Sequence, residues 1–189
     1  MKILILDNYD SFTYNLVHTI EKISHEKVDV FRNNEIALEE IAKYDKIVLS
    51  PGPGIPNEAG ILKQVIKEYS ASKSIFGVCL GMQAIAEVFG GKLINLENVY
   101  HGVATPMKVI KNDERIFAGI TKNFEAGRYH SWVVSKDNFP DCLTVTCEDL
   151  NGQIMALSHN SLDVKGVQFH PESVMTPLGE KIIYNWLNC

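Results

Sequence analysis

Cys79 stands in Gly77-Val78-Cys79-Leu80-Gly81, with a glycine two residues before it and another two after. A sharp strand-to-helix elbow needs that pattern, because a Cβ at either flank would clash as the backbone doubles back. With glycine at roughly 7% of residues, chance alone places both flanks around about one cysteine in 200. An elbow cysteine also sits at a helix N-terminus, where the positive end of the helix dipole favours negative charge on sulfur. The plain alternative is a structural cysteine buried in a tight turn. His170-Pro171-Glu172 supplies what such a sulfur would need. Residues i and i+2 of an extended chain project to one side, and Pro171 biases His170 toward that conformation. Glu172 can then reach the far imidazole nitrogen, set the tautomer and stabilise the imidazolium. Alone, this tripeptide is an ordinary surface polar pair; beside an elbow cysteine it is a general base with its orienter. Ser50-Pro51-Gly52-Pro53-Gly54 is the third element. It is a rigid loop whose Gly52 N–H, together with the Leu80 N–H, would form an oxyanion hole. It is not a phosphate-binding P-loop, because the Lys-Ser/Thr ending is absent, and by itself it reads equally well as a rigid turn.

These residues are useful only if the fold brings them together. The apolar run Ile3 to Leu6 ends in a polar loop, and Leu16, Val17, Ile20 and Ile23 follow at helical spacing. Val28 to Phe31, Lys46 to Leu49 and Ser74 to Val78 read as further strands. Ala37 to Ala42, about Gly60 to Tyr69, and Leu80 to Phe89 read as helices, the last stopped by Gly90-Gly91. Unbroken apolar strands alternating with helices predict an α/β fold, an open, mostly parallel twisted sheet with helices on both faces. Open sheets of this kind place ligands at the C-terminal ends of their strands, where Gly52 and Cys79 fall. From Lys92 the period changes. Ala104 to Ile110, Trp132 to Val134, Leu143 to Cys147, Ile154 to Leu157 and Val164 to Phe169 read as added strands, some antiparallel, and Leu178 to Leu187 as a closing helix.

The chain has 189 residues with no repeat, low-complexity segment or linker, so residues 1–189 are expected to form a single domain. Lys plus Arg is 18 and Asp plus Glu is 23, a net charge of −5 with no basic stripe, which argues against nucleic acid and anionic membranes as partners. Apolar residues at 46% indicate a folded chain. No apolar run reaches the roughly 18 residues of a membrane span. Four apolar residues before Asp7 are too few for a signal peptide, so a cytoplasmic location is expected. The four cysteines form no CxxC pair and no zinc-like cluster. No metal or cofactor is expected.

Together, Gly77-Val78-Cys79-Leu80-Gly81-Met82-Gln83, His170-Pro171-Glu172 and the 50–54 loop resemble the class I, triad-type glutamine amidotransferases, and the resemblance spans essentially the whole chain. It implies a flavodoxin-like sheet with Cys79 as nucleophile, His170 as base and acid, Glu172 as orienter, and Gly52 and Leu80 as oxyanion donors. It also implies that Gly52, Pro53, Gly54, Gln83, Ser131 and Trp132 bind L-glutamine. The opening Asp7 to Asn15 is similar to the small subunits of chorismate-using synthases, although these usually carry histidine where Met82 stands. That likeness implies a glutaminase subunit of anthranilate synthase, delivering ammonia to a chorismate-binding large subunit. The alternative is the equivalent subunit of aminodeoxychorismate synthase, and one chain could serve both. Tyr100, His101 and Gly102 would then face the partner. A thiol redox-sensing or binding module, or a cysteine peptidase, are the competing readings, and the histidine–glutamate pair disfavours a sensor.

Overall fold

Alternation along β1 (Ile3–Asp7) divides the interior in two. Ile3 and Ile5 enter one apolar cluster and Leu4 and Leu6 a second, because successive strand side chains leave on opposite faces. A strand apolar on both faces must be covered on both. In this computed structural model, which describes residues 1–189, α1 (Thr13–Ser24) and α4 (Gly179–Leu187) cover the first face. The second lies under α2 (Leu62–Tyr69) and α3 (Leu80–Val88).

The parallel half of the sheet is β2 (Val28–Arg32), β1, β3 (Lys46–Leu49) and β4 (Ser74–Val78), joined by β11 (Val164–Val167) alongside β4. Antiparallel strands extend it: β10 (Ile154–His159), β9 (Leu143–Asp149), β6 (Val103–Val109) and β7 (Asn123–Arg128). The order β2-β1-β3-β4-β11-β10-β9-β6-β7 is the expected mostly parallel α/β sheet with antiparallel additions. A separate ribbon pairs β5 (Leu93–Asn95) with β8 (Trp132–Val134).

Three local readings shift. The helix expected at Ala37 to Ala42 is a 3-10 turn over Leu38–Lys43, where Leu38 and Ile41, three apart, match three residues per turn. Helix α2 begins at Leu62, because Gly60 has φ +50° and cannot join it. Strands β5 and β7 were not expected. The C-terminal edges of β1, β3, β4 and β11 all open at one end of the sheet. There the loops carrying Asn8, Gly52, Cys79 and His170 meet.

Candidate active site

Cys79 occupies the predicted elbow. It has φ 52° and ψ −102°, outside the regions a residue with a Cβ prefers, and it caps α3. The flanking glycines explain how this is tolerated. A Cβ on Gly81 would fall on the Leu49 carbonyl of β3, and one on Gly77 would meet the Gly81 carbonyl oxygen at 2.7 Å. The Cys79 N–H donates to the Val167 carbonyl of β11 (2.8 Å), and the Cys79 carbonyl accepts from Gln83 N–H (3.1 Å). Strand and helix thus hold the residue from both sides.

His170 Nδ1 lies 2.6 Å from Glu172 Oε1, and both side chains are buried. Thr176 Oγ1 donates to the His170 carbonyl (2.6 Å) and the His170 N–H to the Gly127 carbonyl (3.0 Å), which fixes the backbone. Tyr129 packs edge-on to the imidazole with 4.9 Å between ring centres. Nε2 of His170 is buried without a hydrogen-bond partner. Burial alone would strip the ring of its charge, but Cys79 and Glu172 outweigh it and hold the His170 pKa well above the usual histidine value. Among the other thiols, burial pushes Cys147 up to about 12.

The loop after β3 is clamped by Asn8. Asn8 N–H donates to Ser50 Oγ and Asn8 Nδ2 to the Ser50 carbonyl, each at 2.8 Å. A Cβ on Gly52 would come within 2.6 Å of Asn8 Cβ and 3.0 Å of Leu80 Cδ2, so the loop packs directly on the start of α3. Leu80 N–H, in the first turn of that helix, has no intrahelical acceptor. Gly52, Pro53, Gly54, Cys79, Gln83, Ser131 and Trp132 line one cavity of about 200 Å³, large enough for an amino-acid-sized substrate. Tyr100 and His101 also line it, whereas Gly102 lies just outside, against the Tyr129 ring. Met82 is not at this cavity; it is fully buried beneath β11, against Gly166. No group of three or more His, Cys, Asp or Glu side chains is placed to hold a metal ion.

Several polar residues here were not singled out from sequence. Gln168, fully buried, donates from Nε2 to Cys79 Sγ (3.4 Å) and accepts from Gln83 Nε2 (3.1 Å). Arg128, 1% exposed, pairs with Asp149 (2.8 Å) and donates to His130 Nε2 (3.0 Å). Burial and the Arg128 charge push the His130 pKa down to about 3. An uninterrupted apolar strand that ends in glutamine was the one available signal for Gln168.

Residues 4–189 match the family model for class I glutamine amidotransferases. The chain is 44% identical over 187 residues to the aminodeoxychorismate/anthranilate synthase component 2 of Bacillus subtilis, covering 98% of this chain and 95% of that one. It is 43% identical over 190 residues to the bifunctional protein TrpGD of Thermotoga maritima, where it takes in 99% of this chain but only 32% of the longer relative. Among solved structures, a GMP synthase glutaminase-type protein of Thermoplasma acidophilum superposes with a TM-score of 0.88 at 25% identity, over 100% of this chain and 92% of that one. A family match from residue 4 to the last, joined to relatives above 40% identity over nearly the whole chain, makes this protein a member of the class I glutamine amidotransferase family.

Proposed function

We propose that the chain is the glutaminase subunit of anthranilate synthase, hydrolysing L-glutamine through a thioester on Cys79 and passing ammonia to a chorismate-binding partner in the cytoplasm. The observation that carries the reading is the buried Cys79, His170 and Glu172 set at the mouth of a cavity bordered by the Gly52 loop. His170 takes the thiol proton, and Cys79 Sγ attacks the carboxamide carbon of glutamine. Gly52 and Leu80 N–H groups receive the developing oxyanion. The proton on His170 then goes to the departing nitrogen, ammonia leaves, and water activated by the same imidazole cleaves the thioester to glutamate. Gln83, Ser131, Trp132, Pro53 and Gly54 hold the glutamine backbone. A cysteine peptidase would use the same triad, but a cavity of about 200 Å³ fits a single amino acid better than an extended peptide.

The second reading, glutaminase of aminodeoxychorismate synthase, draws on the Bacillus subtilis relative, whose name covers both syntheses. Either partner would dock on the rim of the cavity. Phe12 (38% exposed), Val99 (69%) and Val174 (97%) leave apolar surface in water there, and Tyr100, His101 and Gly102 form the adjoining edge. In the reconstituted complex, Cys79→Ala should abolish glutamine-dependent synthesis and leave synthesis from added ammonia largely intact, measured as product fluorescence with each nitrogen source. Equal loss of both activities would overturn the proposal, and the identity of the product, anthranilate or aminodeoxychorismate, separates the two readings.

A further inference from the structure

The sulfur of Cys79 has one hydrogen-bond donor in this structure, and it is not the histidine. Gln168 Nε2 lies 3.4 Å from Sγ, while His170 Nε2 is buried without a partner. An amide can present either its N–H or its oxygen, so the orientation must be fixed by the groups behind it. Those groups are fixed. The Trp132 carbonyl can only accept, and it receives His130 Nδ1 at 3.0 Å and Gln83 Nε2 at 2.9 Å. Arg128, a donor only, occupies His130 Nε2 and so leaves the proton on Nδ1. Gln83 must therefore offer its amino group to Trp132, and its second N–H goes to Gln168 Oε1 at 3.1 Å. With its oxygen used, Gln168 has only N–H to turn toward the sulfur. Every lone pair and hydrogen along this path has a partner of the right sign, in a region where Gln83 and Gln168 are 3% and 0% exposed.

From this geometry we propose that Gln168 is a positioning residue for the nucleophile: its amide N–H, polarised by the Gln83 and Trp132 contacts, holds the Cys79 sulfur in place and stabilises it as thiolate. The proposal rests on the reading of Cys79 as the nucleophile and adds to it a fourth group, beyond the cysteine, histidine and glutamate. An N–H donor favours an anionic sulfur over a neutral one, because hydrogen bonds to charged acceptors are about twice as strong. The bond therefore helps most before attack and relaxes once the sulfur is acylated and neutral, so it readies the thiolate without trapping the thioester.

The test reads the sulfur itself and needs no glutamine. Alkylation of Cys79 in the full chain by iodoacetamide is followed against pH by mass spectrometry of the Cys79 peptide, which separates it from the other three thiols. Gln168→Met keeps the volume and removes the donor. Its alkylation midpoint should rise by about one pH unit, a roughly tenfold slower reaction below the midpoint. Gln168→Glu keeps the shape but, ionised, brings a like charge and no hydrogen, and should shift the midpoint further. Folded variants whose profiles superimpose on the unsubstituted chain overturn the proposal. Should either variant fail to fold, the unsubstituted chain still decides. The 15N side-chain amide resonance of Gln168 should move with the Cys79 alkylation midpoint and stop doing so in Cys79→Ala; an amide indifferent to the thiol overturns the proposal. A protein that passes these tests yet does not hydrolyse glutamine would sink the glutaminase reading and leave this one standing.

Discussion

At the scale of single residues, the site depends on a histidine whose burial and partners pull in opposite directions. Burial favours the neutral ring, while Cys79 and Glu172 favour the imidazolium and prevail. Removing either partner should therefore lower the titration midpoint of His170, and Cys79→Ala and Glu172→Gln should each do so. The midpoint is read from the pH dependence of the imidazole C–H resonances, and one that stays put in both variants contradicts the account. The residues in this balance were legible because each announces itself: a cysteine between two glycines, and a histidine joined to a glutamate through proline. Gln168 and Arg128 were not legible. A glutamine at the end of an apolar strand has no distinctive spacing. The partners of Arg128, Asp149 and Gln153, lie 21 and 25 positions along the chain, so only the fold reveals them.

Among the elements, the decisive contact is between α3 and the strands beneath its first turn. The helix approaches β3 so closely that no Cβ fits at Gly81, where the Leu49 carbonyl and Leu49 Cβ stand in the way. Gly81→Ala should push the helix start off the strand. The cost should be about 1–3 kcal/mol, as for other overpacked interiors, lowering Tm by about 2–12 °C for a chain of this size. It should also slow Cys79 alkylation, because the elbow angle would open. Thermal unfolding and alkylation rate, measured on the same sample, should fall together; a stable variant with undiminished reactivity would show that the glycine is incidental. The parallel half of the sheet was readable almost residue for residue, since Lys46–Leu49 and Ser74–Val78 are short apolar runs bounded by polar turns. Strand β7 was not. Its sequence, Asn-Phe-Glu-Ala-Gly-Arg, has only two apolar residues in alternation before a glycine and a charge interrupt the pattern. Strand β5 is three residues long with two exposed, too little for any period to register.

Over the whole molecule, the antiparallel extension brings a charged pair into the interior beside the cavity, and that pair makes stability depend on acid. Arg128 and Asp149 are 1% and 3% exposed at their side chains, and Arg128 also lies 3.5 Å from the Tyr100 ring centre. His130, stacked on the same tyrosine, must stay neutral next to this cation, which is why burial and Arg128 take its pKa from 6.5 down to about 3. The folded form therefore refuses a proton that the unfolded chain accepts below about pH 6.5. Stability attributable to His130 is complete above that value and falls as pH drops toward 3, by up to about 1.4 kcal/mol per pH unit. His170 acts in the opposite sense, since its raised pKa gives stability that is complete below 6.5 and is lost as pH rises through its folded value. Between pH 7 and 5, above the ordinary carboxylate range, the unsubstituted chain should lose about 2 kcal/mol more than His130→Gln. Urea unfolding at half-unit pH steps measures this. The variant starts lower, having lost hydrogen bonds to Arg128 and Trp132, but that loss does not vary with pH, so the slope isolates the proton. Parallel stability curves for the two proteins would mean that His130 accepts its proton in the folded state and that the buried cation beside it is screened.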